Sequence, residues 1–263
     1  MTTAISTLRD SYQADGFALH PQSVLSPDLL ERASRGLEEV RDGIYDTGEG
    51  PYGTYGDPGD GSKKLVKIEQ PQLANHALRE VVGSPDLGRI AAEISGASMV
   101  QVWWVQLLIK PSSPPGAPPQ TNVGWHQDKS YWGDWSEDSE VFTAWIALSD
   151  VTPNAGPMIF ARGSNHWGLL EGGNFFSQDQ AAVRSGIQPP PGATWEEVPA
   201  ILPPGGVSFH HRFTYHGSGQ NTSGRLRKSL AIHMRTEKSE GDPKSWLTQF
   251  LHRPEICPVI FGG

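Results

Sequence analysis

The abundance of glycine and proline is the feature that most restricts the fold of this chain. Its 263 residues include 30 glycines and 22 prolines, about a fifth of the total, whereas an average protein has about 12 % of the two together. Both residues weaken or break helix interiors, but short strands joined by turns accommodate them. The excess therefore argues against an all-helical bundle and favours a mainly β fold.

Helical and strand-like patterns occupy different parts of the chain. The strongest helix signal is at 26–43, where Ser26 can cap the N-terminus and Pro27 takes the first helical position. Two shorter helices are predicted at 74–82 and 85–95. Segments rich in β-branched and aromatic residues, each bounded by turn formers, follow at 99–110, 140–150, 205–211 and 227–235. This order predicts a β core with helices packed outside it.

Much of the glycine and proline lies in three connecting segments. Residues 46–62 hold six glycines and two prolines and are predicted to form a mobile loop, because too few residues precede them for a separate domain. The proline-rich segments 111–120 and 188–199 cannot supply every ladder hydrogen bond of a strand. A single domain of about 200–250 residues is ordinary for β folds, so we predict one domain over 1–263.

Charge and cysteine content restrict the partners. The formal net charge of −8 argues against nucleic acid as a partner, and no apolar run is long enough to span a membrane. The chain has one cysteine, Cys257, which excludes an internal disulfide and suits a reducing compartment. The N-terminus lacks a secretory signal. We therefore expect a cytoplasmic protein that binds a small molecule, in an oligomeric state that the sequence does not indicate.

A candidate metal site begins at His126 and Asp128, two residues apart in the segment NVGWHQDKSYW. On a strand, residues at this spacing point to the same face, although one such pair is weak evidence. His216, in FTYHGSGQN, supplies a third ligand. Two histidines and one carboxylate form the facial triad of non-haem Fe(II) oxygenases, whereas zinc more often takes a third His or a Cys. Two other histidines, His210 and His233, are expected to be structural.

A positive cluster supplies a partner for an anionic co-substrate. Residues 205–238 hold six basic residues and one acidic residue. In enzymes of this kind 2-oxoglutarate chelates the metal, and its distal carboxylate is best paired by arginine. Arg227 stands eleven residues after His216; Arg225 has the same strand parity and could compete. A solvated charged strand is the alternative interpretation.

Several ordered motifs together resemble the phytanoyl-CoA dioxygenase family, a branch of the 2-oxoglutarate/Fe(II) dioxygenases. They are HQD at 126–128, TAWIALSDVTPNAGPMIFARGSNHWG at 143–168 and HGSGQNTSGRLRKSLAIH at 216–233. The opening YQADGFALHPQSVLSPDLLERA at 12–33 is also similar to the start of that family. The resemblance implies a double-stranded β-helix, which is a jelly-roll (cupin-like) barrel, with iron in its mouth and flanking helices.

The resemblance also implies roles for individual residues. His126, Asp128 and His216 would bind Fe(II), and Arg227 would pair with the distal carboxylate of 2-oxoglutarate. Related halogenases lack the carboxylate that Asp128 provides, so oxygen chemistry is expected rather than halogenation. No further catalytic residue is predicted beyond the metal centre.

Other co-substrate contacts are predicted with less support from the motifs. Ser218 and Trp145 match further co-substrate contacts of the family. Lys67 lies about where the family often has a basic co-substrate residue. Gln106 is added because it lies on the predicted inward face of strand 99–110.

Aromatic residues cluster beside the predicted ligands. They are Tyr131, Trp132, Trp135, Phe213 and Tyr215. They predict a pocket for a sizeable apolar or ring-bearing substrate, with packing in the core as the alternative. Trp103 and Trp104 are adjacent and are therefore predicted to point to opposite faces of their strand.

The leading hypothesis is an Fe(II)/2-oxoglutarate-dependent dioxygenase that uses O2 to oxidise a small natural-product or other secondary-metabolite intermediate. Hydroxylation is the default outcome, and desaturation, cyclisation or epimerisation are possible. Two alternatives stay open: a non-catalytic binding module on the same scaffold, and a zinc or nickel enzyme without a keto-acid co-substrate.

Overall fold

Two antiparallel β-sheets packed face to face position the predicted site. The computed structural model describes residues 2–55, 64–114 and 116–263, with side chains from residue 8 onward and not at 55. The helices are α1 Thr2–Asp15, α2 Pro27–Arg41, α3 His76–Val82, α4 Pro85–Ser95 and α5 Gln180–Gly186. The strands are β1 Phe17–His20, β2 Gly53–Tyr55, β3 Val66–Glu69, β4 Val100–Lys110, β5 Val123–His126, β6 Val141–Ala147, β7 Met158–Ala161, β8 Glu197–Pro199, β9 Val207–His211, β10 His216–Ser218, β11 Arg227–Thr236 and β12 Val259–Phe261.

The described strands form a major and a minor sheet. The major sheet has the order β1-β9-β6-β11-β4-β3-β2, with β12 also paired to β4, and the minor sheet has the order β5-β10-β7-β8. The predicted strand segments correspond to β4, β6, β9 and β11, the central strands of the major sheet. This arrangement confirms the predicted mainly β, jelly-roll class with helices outside.

Side-chain alternation along the major sheet separates two cores. In β4, Leu107 and Ile109 pack with the helices, whereas Leu108 packs with Trp145 and Phe160 between the two sheets. Because the strand period is two residues, the parity of each residue decides whether it contacts the helices or enters the barrel. The inward set includes Gln106, Lys110, Thr143, Trp145, His210, Arg227 and His233.

The helices begin where their capping residues predict. The Ser26 hydroxyl accepts a hydrogen bond from the Leu29 N–H, with Pro27 in the first turn of α2. Ser84 caps α4 in the same way, through the Leu87 N–H. The three predicted helices thus agree with α2, α3 and α4 to within two residues, while α1, α5 and most of the short strands were not predicted. No helix in the described part of the chain is long and apolar enough to cross a membrane.

A β-bulge makes one sequence prediction wrong. His233 pairs with Trp104 and Met234 pairs with Val102, so Trp103 is an extra residue in β4. Such a bulge interrupts the strict alternation of side chains. Trp103 and Trp104 consequently lie on the same side and line the same cavity, although adjacent strand residues were predicted to face opposite ways.

The first part of the predicted mobile loop packs against the helices. The Thr47 hydroxyl donates to the Leu73 carbonyl at 2.5 Å, and Asp46 accepts from the His76 N–H at 2.9 Å. Strand β2 pairs with β3. Residues 56–62 of that loop lie outside the described residues, and the single-domain organisation over 1–263 stays a prediction.

Close packing at Gly88 leads to a stability prediction. A Cβ at this position of α4 would lie 2.1 Å from the Ile260 carbonyl oxygen of β12. We expect Gly88→Ala to lower the free energy of unfolding by about 1–3 kcal/mol, because either backbone must shift, as measured by urea denaturation. In the control Gly83→Ala the new Cβ would lie 3.5 Å from the nearest atom, an ordinary contact. Equal losses in both variants would contradict the prediction.

Candidate metal centre and active site

The three predicted metal ligands lie together in the mouth of the barrel. Strands β5 and β10 pair with His126 opposite His216, and their ring centroids are 4.1 Å apart. One potential ligand atom from each of His126, Asp128 and His216 lies within 4.8 Å of the others, and all three residues are buried. The register of two paired strands therefore brings together histidines that are ninety residues apart in the sequence.

Asp128 reaches this centre by a route that strand geometry does not predict. Strand β5 ends at His126, and Asp128 begins a short 3₁₀ turn, Asp128–Tyr131. The expectation that both residues share one face of a strand is therefore wrong. The turn still places Asp128 Oδ1 at 3.6 Å from the Nε2 atoms of both His126 and His216.

Hydrogen bonds orient the ligand atoms toward a common point. His126 Nδ1 lies 2.9 Å from the Gly124 carbonyl oxygen, and His216 Nδ1 lies 3.0 Å from the Thr214 carbonyl oxygen. A carbonyl only accepts, so each Nδ1 carries the hydrogen and each Nε2 lone pair is left for a metal. These residues fit an open, three-ligand metal site.

The protonation states also suit a metal. Burial by itself would raise the pKa of Asp128, but the neighbouring imidazoles of His216, His126 and His210 hold this pKa well below its usual range. Burial, with the nearby His126, lowers the pKa of His216 well below its usual value. A carboxylate beside a neutral imidazole is the state in which these side chains bind metal ions.

Four of the five predicted co-substrate residues line a cavity of about 470 Å³ beside the triad, here called the inner cavity. They are Gln106, Trp145, Ser218 and Arg227. Arg227 is 2 % exposed, and its guanidinium lies 5.2 Å from the Trp145 ring centroid. Arg225, the competing residue, is exposed to solvent.

Arg227 is a buried cation, and one of its N–H groups has no hydrogen-bond partner among the described residues. Its Nη1 donates to the Gly156 carbonyl oxygen at 2.6 Å, while its Nε has no partner. Burial lowers the pKa of Arg227 to about 10, and no carboxylate among the described residues forms an ion pair with it. The inner cavity therefore fits an anion, as the distal carboxylate of 2-oxoglutarate would require.

Lys110 is a second buried basic residue here, and it was not among the predicted site residues. Its Nζ donates to Ser218 Oγ at 2.6 Å and to the Gly219 carbonyl oxygen at 2.5 Å. Burial and the neighbouring Arg227 lower the pKa of Lys110 well below its usual value. Lys110 is four residues after Gln106 on strand β4, so its side chain lies on the same inward face, and this spacing could have predicted its place in the site. Lys110 holds Ser218 in place beside Arg227.

A second cavity of about 760 Å³, the outer cavity, also reaches His126 and Asp128. The predicted substrate residues Tyr131 and Trp132 line it, and so do the predicted co-substrate residues Lys67 and Gln106. Lys67 Nζ is 3.1 Å from Glu69 Oε1 and 4.9 Å from the Phe175 ring centroid. Lys67 thus lies in the outer cavity, away from Arg227.

Further aromatic residues complete the outer cavity. They come from β4, from the segment before α5 and from the C-terminal region: Trp103, Trp104, Phe175, Phe176 and Trp246. Phe176 and Trp246 are more than half exposed. The segments that carry Phe175, Phe176 and Trp246 are remote from the ligand motifs in sequence, so their place in the site could not be predicted.

Three predicted pocket residues, Trp135, Phe213 and Tyr215, line neither cavity. Tyr215 directly precedes His216 and points the other way, and its hydroxyl donates to the Leu170 carbonyl oxygen at 3.1 Å. Trp135 is buried against Trp103 at 5.4 Å between ring centroids. Phe213 packs beside the His211 ring. For these three rings the structure supports the alternative, that of packing away from the substrate space.

The fold and the site together define a class of protein. A jelly-roll barrel with two histidines and one carboxylate in its mouth, next to a buried arginine, is the arrangement of the non-haem Fe(II)/2-oxoglutarate dioxygenases. The chain belongs to the phytanoyl-CoA dioxygenase (PhyH) family, whose family model matches residues 12–229. Membership confirms the predicted family.

The similarity to an individual curated relative is low and covers only part of each protein. The chain is 28 % identical over 176 residues to the "Probable alpha-ketoglutarate-dependent hypophosphite dioxygenase" of Stutzerimonas stutzeri; the match covers 66 % of this chain and 58 % of that protein. The chain thus spans less than two thirds of the length of this relative.

Similar solved structures come from nogalamycin biosynthesis. The non-haem alpha-ketoglutarate-dependent carbocyclase SnoK has a TM-score of 0.70 at 23 % identity, with 96 % of this chain and 95 % of that chain covered. The epimerase SnoN has a TM-score of 0.68 at 19 % identity, with 94 % and 89 % covered. At these sequence identities the structural similarity supports a shared fold and nothing more specific.

Proposed function

We propose that this protein is an Fe(II)/2-oxoglutarate-dependent oxygenase that oxidises a small natural-product intermediate. The observation that carries the proposal is the triad of His126, Asp128 and His216 beside the unpaired buried cation Arg227. Hydroxylation is the default outcome, and desaturation, cyclisation or epimerisation would need only a different placement of the substrate.

In this proposal each residue has a defined task. His126, Asp128 and His216 hold Fe(II), which when bound supplies oxygen activation driven by the oxidative decarboxylation of 2-oxoglutarate to succinate. Arg227 binds the distal carboxylate, and Ser218, positioned by Lys110, borders the same end of the inner cavity. Trp145 and Gln106 line its walls. Because Asp128 occupies the carboxylate position, halogenation is not expected.

The size and lining of the outer cavity favour an organic substrate that contains rings. About 760 Å³ lined largely by aromatic side chains is far more space than an ion such as hypophosphite needs. Aromatic walls favour apolar rings through burial and stacking. The printed names of SnoK and SnoN refer to the biosynthesis of a natural product, which is consistent with secondary metabolism for this chain.

We also infer that the enzyme works in the cytoplasm. The single cysteine, Cys257, is buried and lies 3.4 Å from the Trp103 carbonyl oxygen, which suits a reducing compartment. A small molecule as the partner, without nucleic acid or membrane, stays a prediction.

A succinate-release screen tests the proposal. Purified protein with Fe(II), 2-oxoglutarate and O2 is expected to release succinate above its basal rate when a cognate ring-bearing compound is added. Product mass then identifies the outcome: one added oxygen means hydroxylation, loss of two hydrogens means desaturation or ring closure, and unchanged mass means epimerisation.

Measuring the binding of Fe(II) and 2-oxoglutarate distinguishes the proposed function from its alternatives. Anaerobic addition of Fe(II) and 2-oxoglutarate is expected to produce a weak visible charge-transfer band in the wild-type protein. A zinc or nickel enzyme without a keto acid would bind metal but not 2-oxoglutarate. A protein that binds neither ligand would contradict the proposal.

A further inference from the structure

A chain of hydrogen bonds runs from the candidate metal ligand Asp128 to His233. The Thr143 hydroxyl donates to Asp128 Oδ2 at 2.9 Å. The same Thr143 oxygen lies 2.8 Å from His233 Nδ1. Thr143 and His233 are cross-strand partners on β6 and β11, so the sheet register sets this contact.

The direction of each hydrogen bond in this chain follows from the carboxylate. An ionised carboxylate only accepts, so the single hydrogen of the Thr143 hydroxyl is committed to Asp128. The Thr143 oxygen must then accept from His233, which places the ring hydrogen on Nδ1. His233 Nε2 is therefore left with a lone pair, and it can accept a hydrogen bond but not donate one.

His233 Nε2 is a buried acceptor without a partner. The residue is 4 % exposed, and Nε2 has no hydrogen bond within the described chain. His233 lines both the inner and the outer cavity, at the place where they meet. Its ring is held between Trp103 and Trp132, at centroid distances of 5.4 and 4.8 Å.

The surroundings keep this imidazole neutral. Burial lowers the pKa of His233 to about 3, so at neutral pH it carries no charge with which to attract an anion. A buried acceptor left unsatisfied destabilises the empty site, and a substrate that supplies a donor removes part of that penalty.

We propose that His233 is a substrate-positioning residue whose Nε2 accepts a hydrogen bond from a hydroxyl group of the substrate. This inference rests on the proposed function and narrows its substrate class to ring-bearing compounds that carry a free hydroxyl. The rings occupy the outer cavity, and the hydroxyl anchors the molecule where that cavity meets the metal centre. An O-methylated or carboxylate-bearing group at that position would face a lone pair that it cannot satisfy.

Calorimetric titration with two matched probes, 2-naphthol and 2-methoxynaphthalene, tests the proposal. Zinc-loaded protein with 2-oxoglutarate is expected to bind 2-naphthol about tenfold more tightly, the equivalent of about 1.4 kcal/mol. His233→Leu removes the acceptor and is expected to abolish the preference. His233→Gln retains an acceptor oxygen and is expected to keep part of it. The control His252→Phe changes an exposed histidine outside both cavities and leaves the preference intact.

A second measurement does not depend on a variant that folds. In wild-type protein, ¹⁵N NMR of the His233 ring at neutral pH is expected to show hydrogen on Nδ1 and none on Nε2. Hydrogen on Nε2 would overturn the proposal. So would equal affinity of the wild-type protein for the two probes, failure to bind either, or a hydroxyl preference that survives in His233→Leu.

The two hypotheses fail in different ways. Binding of 2-oxoglutarate is titrated separately, without the probes, and its absence would contradict the proposed function. Normal binding of 2-oxoglutarate without any hydroxyl preference would contradict only the role of His233.

Discussion

Asp128→Ala is expected to weaken metal binding by more than about 100-fold and to abolish substrate turnover. Asp128 supplies the only carboxylate of the triad, and its Oδ1 lies 3.6 Å from the Nε2 atoms of both histidines. Loss of a residue that merely orients a ligand costs about 10- to 100-fold in metal affinity, so loss of the ligand itself should exceed 100-fold. Titration of the protein with Fe(II) under anaerobic conditions measures the change in Kd.

Two further variants make this prediction specific. Asp138→Ala removes an exposed carboxylate ten residues further along the chain and should leave the metal Kd unchanged. Thr143→Val keeps the ligand but deletes the hydrogen bond to Asp128 Oδ2, so an intermediate loss of about 10-fold is expected. If Asp128→Ala folds and still binds Fe(II) with wild-type affinity, the assignment of the triad is wrong.

Arg227→Leu is expected to raise the Kd for 2-oxoglutarate by about 10- to 100-fold while metal binding is retained. A charge-assisted hydrogen bond contributes about 1.5–3 kcal/mol, and 1.4 kcal/mol corresponds to a factor of ten. Arg227 is buried and has no carboxylate partner in the described chain, so its charge is available to the co-substrate. Calorimetric titration with 2-oxoglutarate, with zinc in the metal site, measures the effect.

The neighbouring Arg225 provides the matched control. It is exposed, and Arg225→Leu should change the 2-oxoglutarate Kd less than twofold. Arg227→Lys keeps a charge but loses the planar fork that pairs with a carboxylate, so its affinity should lie between those of wild type and Arg227→Leu. A large effect at position 225 and none at 227 would reverse the assignment that the motif spacing favoured.

Most of the correct predictions depended on short-range patterns in the sequence. Capping at Ser26 and Ser84 depends on residues within one helical turn, so these helices could be located closely. Strand periodicity likewise identified the central strands of the major sheet. The ligand set depended on motif order, and the structure brings together the same three residues.

Predictions that assumed regular geometry were the ones that needed correction. Asp128 was expected on a strand but lies in a 3₁₀ turn, and Trp103 was expected opposite Trp104 but lies in a bulge. Tyr215 was expected in the pocket but points away from its neighbour His216. Asp128 and Trp103 depart from the two-residue alternation of a strand, whereas Tyr215 follows it and so faces away from His216. Neighbouring residues in the sequence do not reveal which of these occurs.

The sequence by itself determined the fold class, the family and the candidate metal ligands with Arg227, because these follow from local periodicity and from motifs of fixed order. Only the tertiary structure assigned roles to Lys110 and His233, which look like ordinary strand residues in the sequence. Their surroundings come from other strands: Ser218 lies 108 positions from Lys110, and Thr143 lies 90 positions from His233. Burial and hydrogen-bond direction are properties of such long-range contacts, so they are decided only when the sheets pair and pack.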